Sequence, residues 1–328
     1  MTPGAPQSKL PKTGTTIFTV MSQLAERHGA VNLSQGFPDF DPPVRLIELV
    51  TEHLHAGHNQ YAPMAGVLVL RERIAAELER RYGLTVDPVD EITITAGATE
   101  ALFCAILALV KVGDEVIVFD PAYDSYEPAV TLAGGTTVHL PLFAPDFRID
   151  WDRLRDALNA RTRLVIINSP HNPSGTLLTK SELQQLGAVL APYDCYLLSD
   201  EVYEHIVFDP AGHQSLLSQP ELAERGLAIS SYGKTFHATG WKTGYAVGPK
   251  ALTAELRRVH QFATFASTTP LQHALADYLG ENPEHYRELP DFFRAKRDYF
   301  LQSLASSPFR FTPATGTYFQ LADYSEIS

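Results

Sequence analysis

The alternation of short apolar runs with longer amphipathic segments is the feature that most constrains how this chain folds. Six short runs have the length and composition of strands, and the sequence predicts strands at 91–95, 115–119, 164–167, 196–198, 227–230 and 245–247. Most of these runs are continuously apolar, which is typical of strands buried on both faces of a largely parallel sheet.

Amphipathic segments lie between these strands, and helices are predicted at 98–110, 126–133, 151–159 and 180–190. Because most of them join one strand to the next, the connections favour right-handed crossovers. We therefore expect an α/β fold built on a doubly wound, mostly parallel sheet. In such sheets, ligands bind at the carboxyl ends of the strands.

The chain length of 328 residues exceeds the size at which one hydrophobic core usually stops growing, so two lobes are expected. After Pro283, a helix is predicted from apolar residues at helical spacing, namely Phe292, Phe293, Tyr299, Phe300 and Leu304, and an alternating run at 311–321 predicts a strand. We assign 1–42 to an N-terminal arm and part of a small domain, 43–282 to a large domain, and 283–328 to the start of an incomplete, smaller C-terminal domain.

The charge balance narrows the possible partners. The chain has 26 Lys plus Arg against 38 Asp plus Glu, and this negative balance opposes nonspecific association with nucleic acid or anionic membranes. Its apolar runs fall well short of the roughly 18 residues of a membrane helix, and the N-terminus lacks the hydrophobic core of an export signal. We expect a cytoplasmic protein that binds small molecules, with neither nucleic acid nor membrane as a partner.

The two cysteines do not indicate a reactive or metal-binding site. Cys104 lies in an apolar helix-like run and Cys195 lies beside an apolar strand-like run, without the spacing of a metal site. We expect both to be core residues, and we predict no metal site.

Polar residues follow the predicted strands, at the ends where a ligand would bind. They are Gly97, Asp120, Asn168, Asp200, and Ser231 with Lys234. Loop solvation would explain a polar residue at any one strand end. Five such ends in succession indicate one shared site.

Two lysines stand among small residues after the strand at 227–230. Lys234 and Lys242 are eight residues apart, and a partly buried lysine beside a second cation is a candidate for attack on a carbonyl group. The alternative is a pair of solvated loop lysines. The sequence Gly233-Lys234-Thr235 also ends like a phosphate-binding P-loop, but that motif needs a glycine at position 228, which is Ala.

Three further segments suit an anionic, planar ligand. The turn at Gly97, with Thr99 beside it, leads from a strand into a helix and offers free backbone amides to a phosphate. Asp200 ends a buried strand, where a carboxylate needs a cationic partner unless it caps a helix. Asn172 lies in a proline-rich turn and could donate to a ligand oxygen, while Tyr123 could stack on a ring or pack in the core.

Together these segments resemble the fold type I pyridoxal-phosphate-dependent aminotransferases of class I and II, in the branch of the methionine and kynurenine (glutamine) aminotransferases. The resemblance covers nearly the whole chain. Its most specific segments are 34–40, 59–61, 168–175, 199–203 and 231–242. It implies that the large domain binds pyridoxal 5'-phosphate.

The resemblance also implies roles for the cofactor-binding residues. Lys234 would be the Schiff-base lysine and proton shuttle, and Asp200 would pair with the pyridine nitrogen. Asn172 and Tyr203 would hold the ring hydroxyl oxygen, and Tyr123 would stack on the ring. The phosphate would be held by Ala98, Thr99, Ser231 and Lys242.

Further implied roles concern the substrate and a second subunit. Tyr61 would reach the phosphate of the neighbouring subunit, which implies a homodimer. Gly36, Asn172 and Phe18 would border the substrate. An arginine near the family's C-terminus grips the substrate carboxylate, and Arg310 does not occupy the matching context, so we expect a C-terminally truncated form that transaminates poorly.

The implied reaction is ping-pong transfer of an amino group from a neutral, sulfur-containing or aromatic L-amino acid to a 2-oxo acid. Two alternatives remain at this stage. A carbon–sulfur β-lyase on the same fold would share the cofactor residues, and a non-catalytic fragment could bind the cofactor without turnover. The preferred amino donor and oxo-acid acceptor are not specified by the sequence.

Overall fold

The computed structural model describes residues 7–11, 13–34, 36 and 38–327, and its architecture is α/β. A sheet of seven strands has the order β1-β7-β6-β5-β4-β2-β3. The strands are β1 Ile92–Thr95, β2 Glu115–Asp120, β3 Thr136–Pro141, β4 Thr162–Asn168, β5 Tyr196–Asp200, β6 Gly226–Ser231 and β7 Gly244–Val247.

α-Helices surround the sheet, and several of them cover its two faces. They are α1 Ile17–His28, α2 Val44–His55, α3 Leu68–Tyr82, α4 Ala98–Leu109, α5 Tyr126–Ala133, α6 Trp151–Ala157, α7 Lys180–Leu190, α8 Pro220–Ala223, α9 Tyr232–Thr235, α10 Lys250–Ala263, α11 Thr269–Glu281 and α12 His285–Ser303. The local sequence determines where several of the helices begin. For example, Thr179 and Glu182 form a reciprocal capping box at the start of α7, which satisfies amides that the helix leaves free.

The continuous apolar runs supply two cores, one on each face of the sheet. In β4, Leu164 and Ile166 belong to the cluster under α4, α5 and α10, whereas Val165 and Ile167 belong to the cluster under α2, α3, α7 and α11. Successive strand residues point to opposite faces, so a strand covered on both sides is apolar throughout. The expected doubly wound, mostly parallel sheet is confirmed.

One strand runs against the others. β7 pairs antiparallel with both β1 and β6, and the remaining neighbours are parallel. Thr95 at the end of β1 and Ser231 at the end of β6 are both in register with Gly244, the first residue of β7. The start of β7 therefore lies at the same sheet edge as the carboxyl ends of the parallel strands.

The predicted elements are largely confirmed, although the prediction was incomplete and in one segment wrong. All six predicted strands and the four helices between them exist, and Cys104 and Cys195 are buried. The strand β3 was missed, because its residues are half-exposed and mix polar with apolar types. The strand predicted at 311–321 is wrong, since this segment forms only an isolated bridge, from Gly316 to Val207.

The segment after α12 packs against the turn that follows β4. Gly175 there accepts backbone hydrogen bonds from Thr315 and Gly316, at 3.0 and 2.9 Å. Gly175 has a φ of +72°, and a Cβ on it would lie 2.5 Å from the Cβ of Ala314. A glycine is required here both by the left-handed backbone and by the close approach. This contact brings 314–319 to the sheet edge.

Within the described ranges, none of the helices is long and apolar enough to cross a membrane. The cytoplasmic location and the division at residues 42 and 282 stay predictions.

Candidate functional site

A cavity opens at the edge where the parallel strands end. Most of the predicted site residues line it, namely Ala98, Thr99, Tyr123, Asn172, Asp200, Tyr203, Ser231, Lys234 and Lys242. Gly97 and Asn168 also line it, as expected from their strand ends. Asp120 is not among the lining residues, and its carboxylate instead lies 3.0 Å from His139 on the edge strand β3.

Lys234 is held on the single turn of helix α9, directly after β6. The hydroxyl of Ser231 caps this turn by accepting from the backbone N–H of Gly233 at 3.2 Å. The Nζ of Lys234 donates to the hydroxyl of Tyr318 at 3.0 Å. It also lies 5.6 Å from the ring centroids of Tyr203 and Tyr318, so aromatic rings border the amine on two sides. The lysine is half-buried and points into the cavity.

Asp200 ends β5 and is only 4% exposed. Its Oδ2 accepts a hydrogen bond from the hydroxyl of Tyr126 at 2.7 Å, and its Oδ1 lies 3.4 Å from the backbone nitrogen of Val202. Burial raises the pKa of this carboxyl above its ordinary value, although Tyr126, Val202 and the charge of Lys234 act in the opposite direction. A further cationic group on the cavity side would favour the ionised form.

The start of α4 has the features of an anion-binding site, and it is called the anion site below. Gly97 precedes the helix with a φ of +81° and has no side chain to cap the first amides. The Nζ of Lys242 would lie 3.5 Å from a Cβ built on Gly97, so its ammonium group is close to this helix start. Free amides and a nearby cation suit a phosphate group.

Gly244 keeps β7 in contact with this turn. A Cβ on Gly244 would lie 2.8 Å from the backbone nitrogen of Ala98. A larger residue at the start of β7 would therefore push the anion site away from the sheet edge.

Asn168 organises the turn that carries Asn172. Its side-chain amide donates to the carbonyl oxygen of Asp200 at 2.8 Å, and its Oδ1 accepts from the backbone N–H of Asn172 at 2.7 Å. Tyr203 is buried beside the same cavity, and burial raises the pKa of its hydroxyl well above the ordinary value, with Tyr318 contributing. Tyr203 is therefore a neutral hydroxyl donor.

Gly36 reaches the site through Tyr318. The hydroxyl of Tyr318 donates to the carbonyl oxygen of Gly36 at 2.8 Å, which links this glycine to Lys234. Phe18 and Tyr61 are not among the lining residues. Phe18 is half-exposed on α1, and Tyr61 is 86% exposed and packs edge-on against Phe265.

Two site residues were missed by sequence reasoning. Tyr318 was assigned to a strand that does not exist, and its contact with Lys234 spans 84 positions of the chain. Tyr126 was correctly placed at the start of a helix, but its contact with Asp200 spans 74 positions. The sequence offered no local signal for either partner.

A buried polar layer lies behind Asp200. The Oε1 of Glu201 accepts from the hydroxyl of Ser199 at 2.8 Å and from the backbone N–H of Leu216 at 3.0 Å. Burial, with the nearby charge of Glu204, raises the pKa of Glu201 to about 8. Glu201 is therefore protonated in the folded protein at neutral pH.

His213 in the same layer is held neutral, because burial and the charge of Arg81 lower its pKa to about 3. Its Nε2 lies 3.0 Å from the carbonyl oxygen of Ser169 and its Nδ1 lies 2.7 Å from the hydroxyl of Tyr82. A proton on Nε2 satisfies both contacts, since Nδ1 can then accept from Tyr82. This layer supports the turn that bears Asn172.

Comparison with known proteins agrees with this geometry. The family model described as aminotransferase class I and II matches residues 28–327. The chain belongs to the class I and II aminotransferase family. It is an enzyme, a transaminase, and members of this family use pyridoxal phosphate and act on amino and oxo acids.

Individual relatives support the family assignment over almost the full chain. A methionine aminotransferase of Escherichia coli is 55% identical over 326 residues, which cover 99% of this chain and 84% of that protein. Kynurenine–oxoglutarate transaminase 1 of mouse is 35% identical and covers 93% of this chain and 77% of its own length.

A solved structure extends the agreement to the fold. The crystal structure of an Escherichia coli protein with methionine aminotransferase function aligns with a TM-score of 0.98 at 55% identity, covering 99% of this chain and 85% of that one. The fold is therefore that of the fold type I pyridoxal-phosphate-dependent aminotransferases.

The side chains present fit the cofactor of this class I and II aminotransferase. Asp200 is a buried carboxylate with a raised pKa, and the protonated nitrogen of a pyridine ring would supply the cation that favours its ionised form. The start of α4, with Lys242 beside it, offers amides and a positive charge for a phosphate. Lys234 supplies an amine in the same cavity.

The protonated state of Glu201 predicts a pH-dependent effect of Glu201→Gln on stability. Between about pH 4.5 and 8 the folded native protein keeps a proton that the unfolded chain releases, so this carboxyl makes the native protein less stable as pH rises, by up to about 1.4 kcal/mol per pH unit. Glutamine cannot titrate. The unfolding free energy of the variant relative to the native protein should therefore rise between pH 5 and 8, as measured by urea unfolding.

The exposed Glu224 provides a matched control for this measurement. Glu224→Gln should show the same difference from the native protein at both pH values. A difference for Glu201→Gln that is constant with pH would mean that Glu201 is ionised in the folded state.

Proposed function

We propose that this aminotransferase binds pyridoxal 5'-phosphate in the cavity lined by Lys234 and Asp200, and that its donor is a neutral, sulfur-containing or aromatic L-amino acid. Methionine is the first candidate, and the acceptor is a 2-oxo acid. The observation that carries the proposal is the presence of one lysine amine and one buried carboxylate in the same cavity. The chain's membership of a family that uses this cofactor supports the proposal.

Lys234 would carry the cofactor on its Nζ. After the donor's amino group takes that place, the released amine would accept the proton from the donor's Cα and deliver it to a carbon of the cofactor. The hydroxyl of Tyr318, 3.0 Å away, would position the amine during this transfer. The bound cofactor supplies an electron sink for the bond that breaks at Cα. Asp200 would keep the ring nitrogen protonated.

The remaining side chains would orient the ring and its phosphate. Tyr123 would stack on the ring, and Asn172 and Tyr203 would donate to its hydroxyl oxygen. The phosphate would be held by Ala98, Thr99, Ser231 and Lys242. Each of these residues lines the cavity, which supports the set as a whole.

The aromatic surroundings of Lys234 support a donor without a charged side chain. Tyr203, Tyr318 and Phe319 form a contiguous cluster, with the ring centroid of Tyr203 5.3 and 5.7 Å from those of the other two. A carboxylate side chain would lose hydration against such rings. Two of the relatives, a methionine aminotransferase and a kynurenine–oxoglutarate transaminase, support the same class of donor. Gly36, Asn172 and Phe18 would border this donor.

We also propose a homodimer in which Tyr61 reaches the phosphate of the neighbouring site. The exposed Tyr61 supports this, and α1 carries further exposed apolar side chains, among them Ile17 and Leu24 at 64% and 40%. A second copy would cover these surfaces. Sedimentation velocity should therefore give the mass of a dimer, and a monomer at micromolar concentration would exclude this arrangement.

The role of Lys234 predicts where the cofactor is attached. Borohydride reduces a carbon–nitrogen double bond between a lysine and the cofactor, so treatment of the cofactor-loaded enzyme followed by peptide mapping should place the label on Lys234. Lys234→Ala should lose the label. Lys242→Ala is the control, because it should weaken cofactor binding and yet leave the label on Lys234. Label on Lys242 in the native protein would refute the assignment.

The donor class is tested by single half-reactions without an acceptor. Methionine and kynurenine should convert the bound cofactor to its amine form at least about tenfold faster than aspartate, because an aspartate side chain must be desolvated among aromatic rings. Absorbance of the cofactor measures the conversion. A preference for aspartate would overturn the donor proposal. With an S-substituted cysteine as the donor, release of the thiol together with pyruvate and ammonia would indicate a β-lyase instead.

A further inference from the structure

Three histidines meet between α2 and α11, outside the cavity described above. His53 lies in the last turn of α2, His58 follows in the turn after that helix, and His273 lies on α11. Gly57, with a φ of +87°, turns the chain so that His58 returns beside His53. The ring centroids are 5.0 Å apart for His53 and His58, 5.3 Å for His53 and His273, and 4.0 Å for His58 and His273.

The ring nitrogens of this cluster are close enough to share one ion. One nitrogen from each of the three rings lies within 4.8 Å of the other two, and the Nδ1 atoms of His53 and His58 are 2.8 Å apart. Two ring nitrogens at this distance must share a proton, because two lone pairs facing each other would repel. A divalent cation can take the place of that shared proton.

Asp277 gives His53 the orientation of a metal ligand. Its Oδ2 lies 2.9 Å from the Nε2 of His53, and it follows His273 by one turn on the same face of α11. With Nε2 donating to this carboxylate, the lone pair of His53 is on Nδ1, which faces His58. A carboxylate on the far nitrogen is the usual arrangement of histidines that bind metals.

The geometry needs a small adjustment to hold an ion. Ligand nitrogens at about 2.0–2.1 Å from a tetrahedral Zn²⁺ are about 3.3 Å from one another, which is more than the present separation of the two Nδ1 atoms. The stacked rings must also tilt so that their lone pairs converge. All three side chains are only half-buried, so rotation of the imidazoles does not require repacking of the core.

Among the residues that the structure describes, two other clusters of possible ligands are already satisfied within the protein. In one, His260 lies 2.8 Å from Glu100 and 3.0 Å from the carbonyl oxygen of Met64, so both of its ring nitrogens have partners. In the other, His213 contacts Tyr82 and Ser169 in the same way. Both clusters are structural, which leaves the three histidines at α2 and α11.

We propose that His53, His58 and His273 form a binding site for one divalent transition-metal ion such as Zn²⁺, with Asp277 orienting His53 and water completing the coordination. Imidazole nitrogens favour Zn²⁺, Ni²⁺ and Cu²⁺ over Mg²⁺ or Ca²⁺. The ion would tie α2 to α11. The site contains none of the cavity-lining residues, and the proposal does not rest on the proposed function.

The test is Zn²⁺ titration of the full chain, loaded with its cofactor and purified without a polyhistidine tag. Calorimetry should show one Zn²⁺ per chain, and Zn²⁺ should raise Tm because it binds the folded state. His273→Ala should weaken this binding at least about tenfold. Asp277→Asn should keep the stoichiometry and weaken affinity about 10- to 100-fold, as expected for a residue that orients a ligand.

His55 provides a matched control, because it lies two residues from His53 on the same helix and is exposed. His55→Ala should bind Zn²⁺ like the native protein. Co²⁺ should give the absorption bands of a tetrahedral site in the native protein and in His55→Ala, and these bands should be absent from His273→Ala. If His273→Ala unfolds, His273→Gln keeps the polar surface and serves in its place. Equal Zn²⁺ binding by the His273 variant and the native protein, or failure of the native protein to bind, would overturn the proposal.

Discussion

The burial of one carboxylate, that of Asp200, is the constraint on which the rest of the site depends. An ionised carboxylate in the interior is stable only with donors or positive charge close by. Tyr126, Val202 and Lys234 supply these from the start of α5, the chain after β5 and helix α9. Those three elements must therefore converge on the carboxyl end of β5. The cavity is the space that they enclose together.

The sheet order explains how the elements converge. β4 and β6 flank β5, and Asn168 is in register with Asp200, so its side chain can reach the Asp200 backbone. β7 reverses direction and brings Gly244 to the ends of both β1 and β6. Without that reversal Lys242 would lie at the opposite edge of the sheet, away from the start of α4. The anion site thus depends on the one antiparallel strand.

The sequence predicted the features that depend on a local pattern of residues. A strand covered on both faces is apolar throughout, so the central strands were found, whereas the half-exposed edge strand β3 lacks that pattern. The alternation at 311–321 arises from separate contacts, among them Gly316 against Val207, and it was mistaken for a strand. The partners of Tyr318 and His273 are distant in sequence, and only the packed chain reveals them. The roles of Tyr61 and Phe18 were implied by the resemblance alone. They concern a neighbouring subunit and the substrate, which lie outside the single folded chain.

The amine of Lys234 is positioned by segments that are far apart in the chain. Tyr318 holds Lys234 and at the same time donates to Gly36, 282 positions earlier. A Cβ on Gly36 would lie 2.8 Å from the Tyr318 ring and closer still to Phe319, so this contact exists only because residue 36 has no side chain. Reactive groups must be held within a fraction of an ångström to act. The lysine amine therefore takes its observed position only when the N-terminal segment, the sheet edge and the segment after α12 have all docked, which makes the cavity a product of the whole fold.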